Sequence, residues 1–120
     1  MKLNHLDLQV PDVQRTAGFF ETHFGFTWTG NRKSPAIAIL SGSDGFVLVL
    51  QRRKDGDPGY PEGFHIGFLV DDVATVHAQH ARMSASGFPS TGIIENNRGV
   101  MFYIKAPGDV SVEVSCRRTA

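Results

Sequence analysis

The chain is poor in three features that often narrow the function of a protein. It has one cysteine, Cys116, which excludes an internal disulfide and is typical of a reducing cytoplasm. Its 12 basic and 12 acidic side chains cancel, so it has no electrostatic footprint for nucleic acid or an anionic membrane. No apolar run approaches the roughly 18 to 20 residues of a membrane span, and the first residues lack the layout of a signal peptide. We therefore expect a cytoplasmic protein with neither nucleic-acid nor membrane partners.

What the chain does contain is an internal repeat. Residues 5–13 align without a gap on residues 65–73, and each copy opens on a histidine and passes through Asp-Val into a helical pattern. A second match aligns residues 45–50 with residues 109–114. Repeats of long period set the fold, so they are interpreted before any single motif. The two matches define four equivalent positions: His5, Val49, His65 and Glu113.

Each half of the chain has the same order of patterns. Residues 2–10 alternate between polar and apolar, which predicts a half-buried strand. Asp12 is a suitable N-cap for the helix that follows, and Gly25 a suitable stop. Further strands are predicted at residues 26–30, 36–40 and 46–52, and, after the second copy's strand 64–70 and helix 73–87, at residues 90–94, 100–104 and 110–115. The prediction is an α+β fold of two tandem βαβββ modules, residues 1–53 and 64–116, in one domain, 1–120.

Three of the four repeat-equivalent positions carry good metal ligands. Alternation places His5, His65 and Glu113 on the strand faces opposite the aliphatic residues. Two imidazoles and one carboxylate hold a divalent metal and leave positions open for substrate. The alternative is an ordinary solvent-facing polar sheet face. His80 is different, because it lies on the apolar stripe of its helix and is expected to pack rather than to bind metal.

The order of short motifs resembles a known superfamily. The motifs are Leu3-Asn4-His5-Leu6, Phe19-Phe20-Glu21, Phe24-Gly25-Phe26, Phe64-His65-Ile66-Gly67-Phe68, Phe102-Tyr103, Pro107-Gly108 and Val112-Glu113-Val114. They extend over essentially the whole chain, which resembles the vicinal oxygen chelate superfamily of glyoxalases, bleomycin-resistance proteins and dioxygenases. The resemblance implies two βαβββ modules forming a cupped, mostly antiparallel sheet around a metal, with helices outside, and a homodimer.

The resemblance also implies a site. Its metal ligands fall on His5, His65 and Glu113, and the metal would be Fe, Mn, Ni, Zn or Co. Val49 stands where glyoxalase I enzymes carry a further ligand, which favours the fosfomycin-modifying or dioxygenase branches. The site residues expected besides the ligands are catalytic Tyr103 and Lys105 and substrate-binding Gln51 and Trp28.

The sequence leaves two functions open, and a third has less support. The first is a metal-dependent lyase, transferase or dioxygenase that acts on an oxygen-rich small molecule chelated to the metal. The second is a protein that sequesters a small molecule without chemistry, as in bleomycin resistance. The third is a scaffold that has kept the fold and lost catalysis.

Overall fold

The computed structural model describes residues 1–118, so the last two residues of the predicted domain lie outside the described residues. The chain divides into two compact units, Met1–Gly59 and Tyr60–Ala120. Among the described residues each unit holds one α-helix and one four-stranded sheet in the order βαβββ, so the predicted α+β class and tandem modules are confirmed. Neither helix within residues 1–118 has the length and apolar character needed to span a membrane.

The first unit has its strands in the spatial order β1-β4-β3-β2. Its elements are β1 (His5–Val10), α1 (Val13–Phe24), β2 (Thr27–Thr29), β3 (Ile37–Ser41) and β4 (Val47–Arg52). The β1–β4 pair is parallel and the other two pairs are antiparallel. Asp12 caps α1 by accepting a bond from the Arg15 N–H at 3.0 Å, and Gly25 ends the helix with a φ of 70°.

The second unit repeats this topology in the order β5-β8-β7-β6. Its elements are β5 (His65–Leu69), α2 (Val73–Ser84), β6 (Ile94–Asn96), β7 (Gly99–Lys105) and β8 (Ser111–Arg117). The β5–β8 pair is parallel and its neighbours are antiparallel. Asp72 caps α2 through the Thr75 N–H at 2.7 Å, as Asp12 caps α1.

In each unit the helix covers one face of the sheet and leaves the other for the site. The packed face of the first sheet carries Leu8, Leu40 and Leu48, all at most 1% exposed. In the second sheet, Phe102 and Ile104 are also at most 1% exposed and lie on the face that packs against α2. Because strand side chains alternate, the residues between these point to the opposite face. The open face carries His5 in the first unit, and His65 and Glu113 in the second.

One predicted strand is displaced. We expected a strand over residues 90–94, but β6 begins at Ile94 and forms a hairpin with β7 through the turn before Gly99. The earlier segment still bonds to β7, with the Thr91 N–H donating to the Tyr103 carbonyl at 2.8 Å. Within residues 90–93, Ser90 alone forms a β-bridge to β7. The Thr-Gly sequence that follows it interrupts the ladder of hydrogen bonds with that strand.

Candidate functional site

The strand registers give the two units corresponding positions on their open faces. In the second unit, Gly67 on β5 lies opposite Glu113 on β8. In the first unit, Asp7 on β1 lies opposite Val49 on β4. In each unit these two residues lie on the parallel strands, the first of which begins with a histidine. Val49 therefore occupies the position of Glu113, as the sequence repeat predicts.

Glu113 is a buried carboxylate with two neutral hydrogen-bond donors. Its residue is 6% exposed. The Tyr103 hydroxyl donates to Oε1 at 2.5 Å, and the Ser115 hydroxyl donates to Oε2 at 3.3 Å. Burying a charged group is costly unless it is hydrogen-bonded and paired. The two hydroxyls supply hydrogen bonds but no positive charge, which a bound cation would add.

His65 lies on the same open face, and one of its ring nitrogens is already hydrogen-bonded. Its Nδ1 is 3.0 Å from the Gly63 carbonyl oxygen. A carbonyl oxygen only accepts, so Nδ1 carries the proton and the neutral ring keeps its lone pair on Nε2. The ring also stands edge-on to Tyr103, with centroids 5.5 Å apart. This fixed tautomer is the arrangement found behind metal-binding histidines.

Tyr103 is held as a proton donor. The hydrogen bond to Glu113 raises the pKa of the Tyr103 phenol above its ordinary value, and burial and the Glu113 charge act in the same direction. Arg98 opposes them and lowers it. The Arg98 guanidinium reaches this group from an exposed turn and lies 3.9 Å from the Met101 sulfur. At neutral pH the phenol is protonated, so it acts as a hydrogen-bond donor or acid.

Two adjoining clefts in the second unit open beside these groups. One, of about 300 Å³, is lined by Glu62, Gly63, Phe64, His65, Tyr103 and Ser111. The other, of about 400 Å³, shares Glu62, Tyr103 and Ser111 and adds Lys105. Tyr103 and Lys105 lie two residues apart on β7 and share its open face, as their spacing predicts. Both clefts are of a size suited to a small molecule.

The open face of the first unit carries a second histidine and a second carboxylate. His5 Nδ1 donates to Asn4 Oδ1 at 2.8 Å, which leaves the lone pair on Nε2. Asp7 follows two residues later and accepts from Gln51 Nε2 at 2.6 Å and Gln9 Nε2 at 2.8 Å. Gln51 therefore lies on the face of His5, but its amide is engaged by Asp7.

Trp28 does not reach this face. It pairs with Leu40, whose side chain packs under α1, so Trp28 also points to the helix side of the sheet. There the Arg32 guanidinium stacks over its ring at 4.4 Å and forms a two-bond ion pair with Glu21 on α1. The structure thus separates Trp28 from His5, Asp7 and Gln51.

The types of residue present are suitable ligands for a divalent metal, but they are divided between the two units. Each unit supplies an imidazole with its lone pair on Nε2 and a carboxylate oriented by hydrogen bonds. Within residues 1–118, no three His, Cys, Asp or Glu side chains come together as a metal-holding group. The second unit brings His65, Glu113 and Tyr103 together, and His5 lies in the first unit.

The fold is that of a protein built from tandem βαβββ modules. The model of the Glyoxalase/Bleomycin resistance protein/Dioxygenase superfamily matches residues 2–114. The chain belongs to this superfamily, as the motif resemblance predicts. No curated protein sequence matches it significantly.

Three solved structures show the range of similar proteins. A possible glyoxalase from Bacillus cereus is 34% identical, with a TM-score of 0.85 over 97% of this chain and 99% of that one. A lactoylglutathione lyase from Agrobacterium tumefaciens is 21% identical, with a TM-score of 0.76 over 96% and 92%. The fosfomycin resistance protein FosX from Listeria monocytogenes is 16% identical, with a TM-score of 0.80 over 98% and 94%. The last two share the fold with this chain.

Proposed function

We propose that the protein is a metal-dependent enzyme that acts on an oxygen-rich small molecule. Its metal ligands are His5, His65 and Glu113, contributed within one chain or across a homodimer. The observation that carries the proposal is the buried Glu113 carboxylate, which two neutral hydroxyls orient without neutralising its charge. A divalent ion, Fe, Mn, Ni, Zn or Co, would supply Lewis-acid polarisation of substrate oxygens.

The side chains around Glu113 have distinct roles in this proposal. Tyr103 fixes the carboxylate and holds a proton at its hydroxyl beside the cleft. Lys105 lines the adjoining cleft and places a positive charge there. A cation and a phenolic donor on one strand face are suited to orienting an oxygen-rich or anionic ligand. The reaction would be that of a lyase, a transferase or a dioxygenase.

Sequestration of a small molecule without chemistry is the second candidate. It is favoured by the apolar character of the first unit's open face, where Ile37 and Ile39 are 41% and 44% exposed. Val49 lies directly opposite Ile39 on that face. Exposed aliphatic side chains of this kind suit contact with a ligand or with a second copy of the chain. A binding protein would use this face and would not need the metal ligands.

The test is turnover by metal-reconstituted protein. Chelator-treated protein would be reloaded separately with Mn, Fe, Co, Ni and Zn and incubated with an epoxide plus thiol, a hemithioacetal and a catechol. Product formation would be followed by NMR. We expect turnover with at least one metal, and a loss of about 10²-fold or more in Tyr103→Phe if its proton is used.

The matched controls separate the candidates. Glu113→Gln should abolish metal-dependent turnover, whereas His77→Ala, on the exposed side of α2, should leave it unchanged. Substrate binding that survives metal removal and gives no product would favour sequestration. Metal binding without turnover or ligand binding would favour the scaffold function.

A further inference from the structure

Two side chains of opposite charge line one cleft of the second unit. The cleft of about 400 Å³ has Glu62 and Lys105 in its lining, together with Tyr103 and Ser111. All four residues belong to the same compact unit. The cleft therefore offers a negative and a positive group to one small molecule.

The register of the sheet directs Lys105 to this cleft. Lys105 lies opposite Ser111 on the β7–β8 ladder, and Tyr103 lies opposite Glu113. Directly opposite residues of an antiparallel pair point to the same face, so Lys105 and Ser111 share the open face. Lys105 is half-buried, and within residues 1–118 its ammonium forms no hydrogen bond or ion pair.

Glu62 reaches the cleft from a turn that is fixed on both sides. The Phe64 N–H donates to the Pro61 carbonyl at 3.0 Å, which closes a turn around Glu62. Just before the turn, the Tyr60 N–H donates to Asp109 Oδ2 at 2.6 Å, and the Tyr60 ring stacks on Phe64 with centroids 4.5 Å apart. Asp109 lies between β7 and β8, so these contacts tie the turn to the sheet.

The two charges in the cleft do not neutralise each other. No ion pair joins Glu62 to Lys105, and neither side chain pairs with another charged group of the described chain, 1–118. A purely anionic ligand would be attracted by Lys105 and repelled by Glu62. A ligand that carries both charges would be attracted by both side chains, so the cleft discriminates in its favour.

We infer that this cleft binds a zwitterionic small molecule, whose carboxylate faces Lys105 and whose ammonium group faces Glu62. The inference rests on the proposed function, because it names the substrate class of the same site. Ser111 lies opposite Lys105 and adds a hydroxyl donor for the carboxylate. The ligand class is small molecules with an ammonium and a carboxylate group a few bonds apart.

The test is the binding of amino acids to metal-free protein, followed by two-dimensional NMR. Glycine, β-alanine, γ-aminobutyrate and ε-aminocaproate carry the same two charges at increasing separation, whereas butyrate and butylamine carry one charge each. We expect one member of the series to bind about fivefold or more tightly than either single-charge compound. Chelator treatment beforehand ensures that no bound metal ion contributes by chelating the amino acid.

Variants assign each charge to its residue. Lys105→Gln should remove the preference for the zwitterion over butylamine, because no cation then meets the carboxylate. Glu62→Gln should likewise remove the preference over butyrate. Glu95→Gln, which changes an exposed glutamate on β6, is the matched control and should alter neither preference.

A charge exchange distinguishes loss of a contact from damage to the fold. Glu62→Lys combined with Lys105→Glu keeps both charges in the cleft but exchanges their places. The double variant should recover most of the zwitterion affinity that Lys105→Glu alone loses, because the ligand can bind in the reverse orientation.

The outcomes separate this inference from the proposed function. Equal affinity for zwitterions and single-charge compounds, or no binding of any of them, would overturn the inference, and metal-dependent turnover would still support the proposed function. Zwitterion binding by a protein that turns over no substrate with any metal would overturn the proposed chemistry and support the cleft's ligand class. Loss of preference in both single variants, with recovery in the double variant, would support the inference.

Discussion

The hydrogen bond between Tyr103 and Glu113 allows a quantitative test of the site without any ligand. The bond is 2.5 Å long and its acceptor is a buried carboxylate. Hydrogen bonds to charged groups contribute about 1.5–3 kcal/mol, against about 1 kcal/mol for neutral pairs. Tyr103→Phe should therefore lower the free energy of unfolding by about 2 kcal/mol. In a Glu113→Gln background the same change should cost only about 1 kcal/mol.

The difference in the free energy of unfolding between wild type and Tyr103→Phe should change with pH in one direction. Because Glu113 raises the pKa of Tyr103 in the folded chain, the contribution is fully present below the unfolded pKa, about 10. It is lost as the pH rises through the higher folded pKa. The stability of the wild type should then approach that of Tyr103→Phe under alkaline conditions.

Urea denaturation followed by far-UV circular dichroism would measure both effects. Ser115→Ala is the internal comparison, because its bond to the same carboxylate is longer, 3.3 Å, and its removal should cost less. Equal stability of Tyr103→Phe and wild type at neutral pH would refute the reasoning. A difference that persists unchanged above about pH 11 would also refute it.

Three further predictions concern the first unit and its helix α1. Gly18→Ala should stabilise the protein by about 0.5–1 kcal/mol in thermal or urea unfolding, because an added Cβ meets no atom within 4 Å in a helix interior. Gly25→Ala should destabilise it by about 1 kcal/mol in the same assay, because the residue ends α1 with a φ of 70°. Arg32 lowers the pKa of Glu21, so this pair stabilises the fold above pH 4.5 and stops doing so as the pH falls through the lower folded pKa. The stability difference between wild type and Glu21→Gln should accordingly shrink in acid, and a constant difference would contradict this assignment.

The repeat made most of the fold predictable. Asp12 could be identified as an N-cap from its position between a strand pattern and a helical one, and it caps α1. His80 was expected to pack, and it does, with Nε2 2.9 Å from the Thr91 carbonyl oxygen and its ring edge-on to Phe102. The displaced strand β6 was less predictable, because residues 90–96 have no clear alternation to fix their register.

The site was harder to predict, because its partners depend on which strands pair. Tyr103 and Glu113 are ten residues apart, and only the register of β7 with β8 places them opposite each other. The contact between Asp7 and Gln51 likewise depends on strand pairing, because it joins β1 to β4. Arg98 lies in an exposed turn, yet its guanidinium also reaches the Tyr103 group, and nothing in the sequence marks that contact.

Metal binding by the wild-type chain is the most direct test of the central claim. Equilibrium dialysis of chelator-treated protein against Mn²⁺, Fe²⁺, Co²⁺, Ni²⁺ and Zn²⁺ would be compared for wild type, His65→Ala and His77→Ala. The account predicts saturable binding of at least one of these ions, which His65→Ala loses and His77→Ala retains. Wild-type protein that takes up none of the five ions, or a His65→Ala variant that binds as tightly as wild type, would contradict it.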